Sequence, residues 1–173
     1  MRNKTFKIIV IFFAFFCFII FFLGLNKPRN YIPDANVGKK ISFFSSKKLF
    51  SDKIINSDEL FNENKIYILN IWSSWCLPCK AEHNILMQLS KNNSIEIIGL
   101  NYKDNISNAK KFINNLGNPY SEILTDSDGT ISIGIGAYGV PETFIINKNK
   151  IILKKFIGPL SDQSIKEVQS ILK

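Results

Sequence analysis

The chain has 173 residues, 22 Lys and Arg against 14 Asp and Glu, a formal net charge of +8 and three cysteines. Five of the basic residues precede residue 30 and every acidic residue follows it, so the remainder carries only +3. That length holds one domain plus an appendage, and the mild charge, with no basic stripe interleaved with aromatics, argues against nucleic-acid binding.

Ile8 to Leu25 is an uninterrupted apolar stretch rich in Phe. At about 1.5 Å per residue it is just long enough to cross a bilayer core. Arg2, Lys4 and Lys7 precede it and predict a cytoplasmic N-terminus, although Lys27 and Arg29 follow it. A cleaved signal peptide is the rival reading, but Gly24-Leu25-Asn26-Lys27-Pro28 is a poor cleavage site. An uncleaved anchor is therefore expected over residues 1–25, followed by a linker over 26–36 containing Pro28 and Pro33. Cys17 then packs or faces lipid. A domain exported past such an anchor lies in an oxidising space.

The domain expected over 37–173 begins with Lys40-Ile41-Ser42-Phe43-Phe44 as a candidate strand and Ser57 to Phe61 as a short helix. Ile66 to Trp72 reads as a buried strand, and Lys80 to Leu89 as a helix. Between them stands Cys76-Leu77-Pro78-Cys79, directly behind Trp75. A strand-to-helix junction suits dithiol–disulfide chemistry: unpaired N–H groups at the helix start stabilise a thiolate. The second thiol, one turn later, is close enough to close a disulfide. A CxxC alone is a weak signal. A closed zinc site needs four ligands, and outside the motif the chain offers only His83 and Cys17. A purely structural disulfide is disfavoured too, because so small a loop yields little chain-entropy stabilisation.

Ser94 to Asn101 reads as a second buried strand. Ser107 is expected to cap a helix to Leu116, stopped at Gly117. Thr125 to Gly129 reads as a turn followed by a short helix. Glu142 to Asn147 and Lys150 to Ile157 form a hairpin about a turn over 147–150, and Ser161 caps a last helix presenting Ile165, Val168 and Ile171. The pattern predicts an α/β fold with a mixed sheet covered on both faces. Gly134-Ile135-Gly136-Ala137-Tyr138-Gly139 mimics a dinucleotide-binding loop, but it follows no strand and Pro141 prevents it from opening a helix. Asp126-Ser127-Asp128-Gly129 lacks the later Gly and Glu of a calcium loop. No metal and no cofactor is expected.

Trp75-Cys76-Leu77-Pro78-Cys79 after a buried strand, with Val140-Pro141 before a later one, resembles the thioredoxin fold. The resemblance implies a cis Val140–Pro141 bond lying against a Cys76–Cys79 disulfide. A narrower match covers about Val37 to Gly158. Ser74 to His83, Gly99 to Asp104, Leu116 to Tyr120 and Tyr138 to Phe144 look like the CcmG/DsbE family, membrane-anchored thiol–disulfide proteins of cytochrome c maturation. By that resemblance Cys76 is the nucleophile and Cys79 the resolving thiol. Trp75, Val140 and Pro141 bind substrate, with Pro141 offering backbone contact to an extended peptide.

General thioredoxins carry a buried Asp six residues before the first cysteine; this chain has Asn70 there. The resemblance gives its role to Glu82 and Glu142, either of which could instead be a solvated surface acid. His83 has two readings as well, a charge that lowers a thiol pKa or a surface residue.

The resemblance implies reduction of the Cys-x-x-Cys-His site of apocytochrome c, or work with its haem-ligation partners. Electrons would come from a membrane donor of the DsbD/CcdA type. It places residues 8–25 in the bacterial inner membrane and the catalytic domain in the periplasm. The rivals are a reductant for another exported target, such as a copper-site assembly protein, and a copper-delivery module of the Sco type. The latter needs wider Cys spacing and a distant His. Peroxiredoxin activity is disfavoured because the Pro-x-x-x-Thr-x-x-Cys segment is absent.

Overall fold

The computed structural model describes residues 2–25, 36–62 and 65–172. The chain divides into two units, Met1–Ile32 and Pro33–Lys173. All of the expected linker except Asn36 lies outside the described residues.

The first unit contributes one helix, α1 (Arg2–Leu25). Its segment Asn3–Gly24 is long and apolar enough to cross a membrane. Phe, Ile and Leu side chains are exposed along its length, as expected of a helix whose apolar surface is meant for lipid.

The second unit holds a seven-stranded mixed sheet in the order β2-β1-β5-β4-β3-β6-β7. In chain order its elements are β1 (Ser45–Lys48), β2 (Ile54–Asn56), α2 (Ser57–Leu60), β3 (Ile66–Trp72), α3 (Leu77–Leu89), β4 (Ile95–Tyr102), α4 (Ile106–Leu116), β5 (Glu122–Asp126), α5 (Thr130–Gly134), β6 (Glu142–Ile146), β7 (Ile152–Ile157) and α6 (Asp162–Ile171). β3, β4 and β5 run parallel, while β6 and β7 continue the sheet antiparallel on one side and β1 and β2 on the other.

Both faces of β3 are buried, which explains its near-continuous apolar run. Tyr67, Leu69 and Ile71 enter one cluster with Phe61, Leu100, Leu124 and Phe144. Ile68 and Trp72 enter the other with Leu86, Leu89, Ile113 and Val168, which come from α3, α4 and α6. Each fully buried Ile or Leu contributes about 1.5–3 kcal/mol relative to exposure. The cysteine pair belongs to this second layer.

Four boundaries depart from the sequence reading. Residues 41–44 are not a strand: Lys40 makes an isolated bridge to Ile151, and the strand starts at Ser45. Ile41 and Phe44 are apolar because they plug the core, and Phe44 O accepts from Ser57 N at 2.9 Å. Thr125 and Asp126 finish β5 rather than starting a turn. α3 begins at Leu77, three residues earlier than expected, because Pro78 lacks only an N–H that the first helical turn leaves unpaired anyway. α4 is capped by Asn105, whose Oδ1 accepts from Ser107 N at 2.9 Å and Asn108 N at 3.2 Å, so Ser107 is already helical. Gly117 ends α4 at φ +90°, a conformation that favours glycine.

Candidate active site

Cys76 is the N-cap of α3, in extended conformation at φ −87° and ψ 108°. Its Sγ is bonded to Cys79 Sγ, with the Cα atoms 5.3 Å apart. The same sulfur accepts a hydrogen bond from Cys79 N at 3.1 Å. A cap position normally held by Ser or Asp is thus held by sulfur, and after reduction the same N–H groups and dipole favour Cys76 as thiolate. Both cysteines are buried, while Trp75 and Leu77 beside them are 60 % and 77 % exposed. The disulfide therefore lies at the foot of an exposed apolar rim.

The approach to Cys76 is clamped from β4 and the loop after it. Asp104 accepts from Ser74 N at 2.5 Å, Ser74 Oγ at 2.7 Å, Asn101 Nδ2 at 3.0 Å and Asn105 N at 2.8 Å. Ser73 Oγ donates to Tyr102 O. Trp75 Nε1 donates to Lys103 O at 3.0 Å, and Lys103 itself adopts φ +43°. Asp104 and Ser74 were visible in the sequence only as parts of motifs; their pairing required the parallel register that sets Trp72 beside Asn101.

Behind the cysteines Glu82 is 1 % exposed, so it is no solvated surface acid. Its Oε1 accepts from Asn70 Nδ2 at 2.9 Å and its Oε2 from Leu160 N at 2.7 Å. Burial pushes its carboxyl from 4.5 up to about 7, against the pull of those two hydrogen bonds. Asn70 also donates to Thr143 Oγ1 at 3.0 Å and accepts from Tyr120 OH at 2.9 Å. Tyr120 is buried, which drives its phenol well above 10, with the nearby Glu82 charge adding to the shift. The buried acid missing from β3 is therefore supplied by α3, one turn after Cys79.

Glu142 is also buried, but on the opposite face of the sheet. Thr143 shares the Asn70 face, and strand side chains alternate. Glu142 Oε1 accepts from Tyr138 N at 2.9 Å and Gly139 N at 3.0 Å. Its Oε2 lies 2.8 Å from Lys155 Nζ, both side chains being 2 % exposed. That contact is an ion pair rather than a well-directed hydrogen bond. Lys155 Nζ also donates to Gly136 O at 2.8 Å and lies 4.3 Å from the Tyr138 ring centroid. The pair thus holds the 136–139 loop from inside.

The Val140–Pro141 bond that follows is cis. Val140 is half-buried against both core layers. Pro141 has no N–H, and its carbonyl already accepts from Gly158 N at 3.0 Å.

His83 is buried, contrary to the surface reading. Its Nε2 faces Gly117 O at 3.1 Å, where only a protonated nitrogen can donate, and its ring meets Phe112 edge-on at 5.3 Å. Burial lowers its pKa, favouring the uncharged ring. It ties α3 to the end of α4. Lys155, Thr143 and Tyr120 were not predicted as site residues; Tyr120 and Thr143 had a signal only as members of the Leu116–Tyr120 and Tyr138–Phe144 motifs.

A family profile described as Redoxin matches residues 36–172. The thiol:disulfide interchange protein DsbE of Escherichia coli (strain K12) is 35 % identical over 166 residues, covering 93 % of this chain and 89 % of that protein. The thiol:disulfide interchange protein CycY of Rhizobium leguminosarum bv. viciae is 42 % identical over 103 residues, covering 60 % of this chain and 55 % of that one. In fold, a DsbF homologue from Corynebacterium diphtheriae superposes with a TM-score of 0.67 at 22 % identity, over 77 % of this chain and 86 % of that one. With its dithiol at the start of α3 and its cis-proline loop, the chain belongs to the redoxin family, among the DsbE-type thiol:disulfide interchange proteins, and is a thiol:disulfide oxidoreductase.

Proposed function

We propose that the protein is a membrane-anchored reductant of exported disulfides. The single observation that supports this best is a disulfide whose first sulfur caps α3 at an exposed apolar rim, with a buried carboxyl one turn behind the second. In the reduced protein the Cys76 thiolate attacks a substrate sulfur. The substrate S–S bond breaks, a Cys76–substrate disulfide forms, and the departing sulfur takes a proton. Cys79 then passes its proton to the Glu82 carboxylate and attacks Cys76 Sγ. The substrate leaves as a dithiol, and the protein keeps the Cys76–Cys79 disulfide. Two electrons have moved to the substrate, whose two thiols take their protons from solvent and from Glu82, and a dithiol donor must return the electrons.

Trp75 and the 138–141 loop flank the substrate. Val140 and Pro141, at the cis bond, offer the backbone contact to an extended peptide. Glu142 shapes this loop through its bonds to Tyr138 and Gly139 and its ion pair with Lys155.

The substrate we propose is the Cys-x-x-Cys-His haem-attachment site of apocytochrome c, alone or with its haem-ligation partners, and the electron donor a membrane protein of the DsbD/CcdA type. α1 crosses the bacterial inner membrane once, with Arg2, Lys4 and Lys7 on the cytoplasmic side and the redox domain in the periplasm. Replacing Cys79 with Ala in the anchored protein stops the resolving step and leaves substrate bound to Cys76. Capture of apocytochromes c or their ligation partners supports the assignment. Capture of copper-site proteins, or of a broad mixture, keeps the chemistry and overturns the substrate.

A further inference from the structure

Glu82 changes its proton count in the cycle proposed above, yet it is buried. A carboxylate needs donors around it; a carboxylic acid needs one acceptor. A neighbour that could only donate, such as Lys, would hold the group charged, and an Asp could only accept. Asn70 can do either, because its amide carries a donor end and an acceptor end. Which end faces Glu82 is set at the far side of the amide. There Tyr120 OH donates to Asn70 Oδ1 at 2.9 Å, leaving Nδ2 to reach Glu82 at 2.9 Å and Thr143 Oγ1 at 3.0 Å. Reversing the amide would place Nδ2 on the phenol oxygen, which accepts less well than it donates. The Tyr120 ring is itself fixed by stacking on Trp72, with centroids 5.7 Å apart and planes 15° from parallel. All four side chains Asn70, Glu82, Tyr120 and Thr143 are buried, so water does not substitute for a lost partner.

We propose that Tyr120 is a positioning residue of the redox site: its hydroxyl orients the Asn70 amide so that the donor end faces Glu82, keeping the buried carboxyl able to accept the proton of Cys79. This rests on the redox reading of the cysteine pair. Other titratable groups lie on the packed elements. On α3, Cys79 precedes Glu82 by one turn, and the adjacent His83 is turned toward Gly117 and favours the uncharged form. From the segment just before α6 comes the Leu160 N–H, while Asp162 and Lys166 of α6 are exposed. Glu142 and Lys155 form their pair across the sheet. Only the Asn70 donor depends on Tyr120.

Tyr120→Phe removes one oxygen and keeps the ring. The full-length protein in detergent micelles is used, with the Glu82 carboxyl carbon followed by NMR against pH and the rate of reduction of a peptide disulfide measured over the same range. In Tyr120→Phe the midpoint of Glu82 rises by about one pH unit, the scale of one hydrogen bond to the charged form, and the rate profile moves with it. Unchanged midpoints in the folded variant overturn the proposal, as does a carboxyl midpoint that moves while the rate profile stays. Should Tyr120→Phe not fold, Asn70→Leu removes the donor itself and must raise the midpoint; a midpoint at the wild-type value overturns the proposal. The carboxyl titration is independent of turnover. A wild-type protein that reduces no peptide disulfide would instead overturn the redox reading.

Discussion

Asn70 of β3 and Glu82 of α3 meet through a 2.9 Å hydrogen bond in the layer that also holds the cysteine pair. The strand therefore carries a neutral amide and the helix carries the acid. The dithiol and its carboxyl ride on one rigid element, so Glu82 keeps its one-turn offset from Cys79 whatever the sheet does.

This placement makes stability depend on pH in a definite direction. Glu82 titrates at about 7 in the fold, above its ordinary 4.5, so the folded state binds the proton more tightly than the unfolded one. Stability contributed by the neutral acid is full below about pH 4.5 and is lost as pH rises through about 7, a change on the order of 3 kcal/mol. Glu82→Gln flattens this slope in urea unfolding across pH 4–8. A slope equal to that of the wild type would show that another group is responsible.

The second buried carboxyl has a different prediction. Removing Lys155 as Lys155→Met leaves the Glu142 charge without its partner at 2 % exposure, which costs about 3–5 kcal/mol. Lys155→Met with Glu142→Gln recovers most of that loss, because the uncompensated charge is gone. Denaturant midpoints of the two single variants and the double variant check this; additive losses would contradict it.

Asp104 anchors Ser74, two residues before Cys76. Asp104→Ala breaks two bonds to Ser74 together with those to Asn101 and Asn105, and destabilises the fold by about 1.5–3 kcal/mol. It also slows disulfide exchange, since the Trp75–Cys76 segment loses its support on β4. Stopped-flow rates with a peptide disulfide, measured where the variant remains folded, separate the two effects. Wild-type rates there would leave Asp104 a purely structural role.

Gly99 lies against the aromatic pair that fixes Tyr120. A Cβ at that position would stand 2.8 Å from Trp72 Nε1 and 3.0 Å from the Tyr120 ring. Gly99→Ala costs about 1–3 kcal/mol through overpacking. Thermal unfolding reads the loss; a midpoint equal to that of the wild type would mean that both rings yield freely.

The sequence by itself determined the elements that carry a strong local pattern. The apolar run of β3, the CxxC at the start of α3, the Gly117 stop, the hairpin turn over 147–150 and the Ser161 cap are each written in consecutive residues. β1 could not be read that way. Ser45-Ser46-Lys47-Lys48 has no apolar alternation and becomes a strand only because β5 and β2 supply its hydrogen bonds. Ile41 and Phe44 misled for the converse reason, since burial in a core does not require a strand.

At the site, Cys76 and Cys79 were legible because their chemistry is local to one helical turn. The states of the two acids were not. Asn70, Glu82, Tyr120 and Leu160 are far apart in the chain, as are Glu142 and Lys155 to a lesser degree. Whether a carboxyl is solvated, paired with a lysine or buried against an amide depends on which strands neighbour which and on which face each side chain emerges. Only the tertiary structure decided that. Its register sets Asn70 opposite Thr143, and the alternation of β6 then sends Glu142 to the other face.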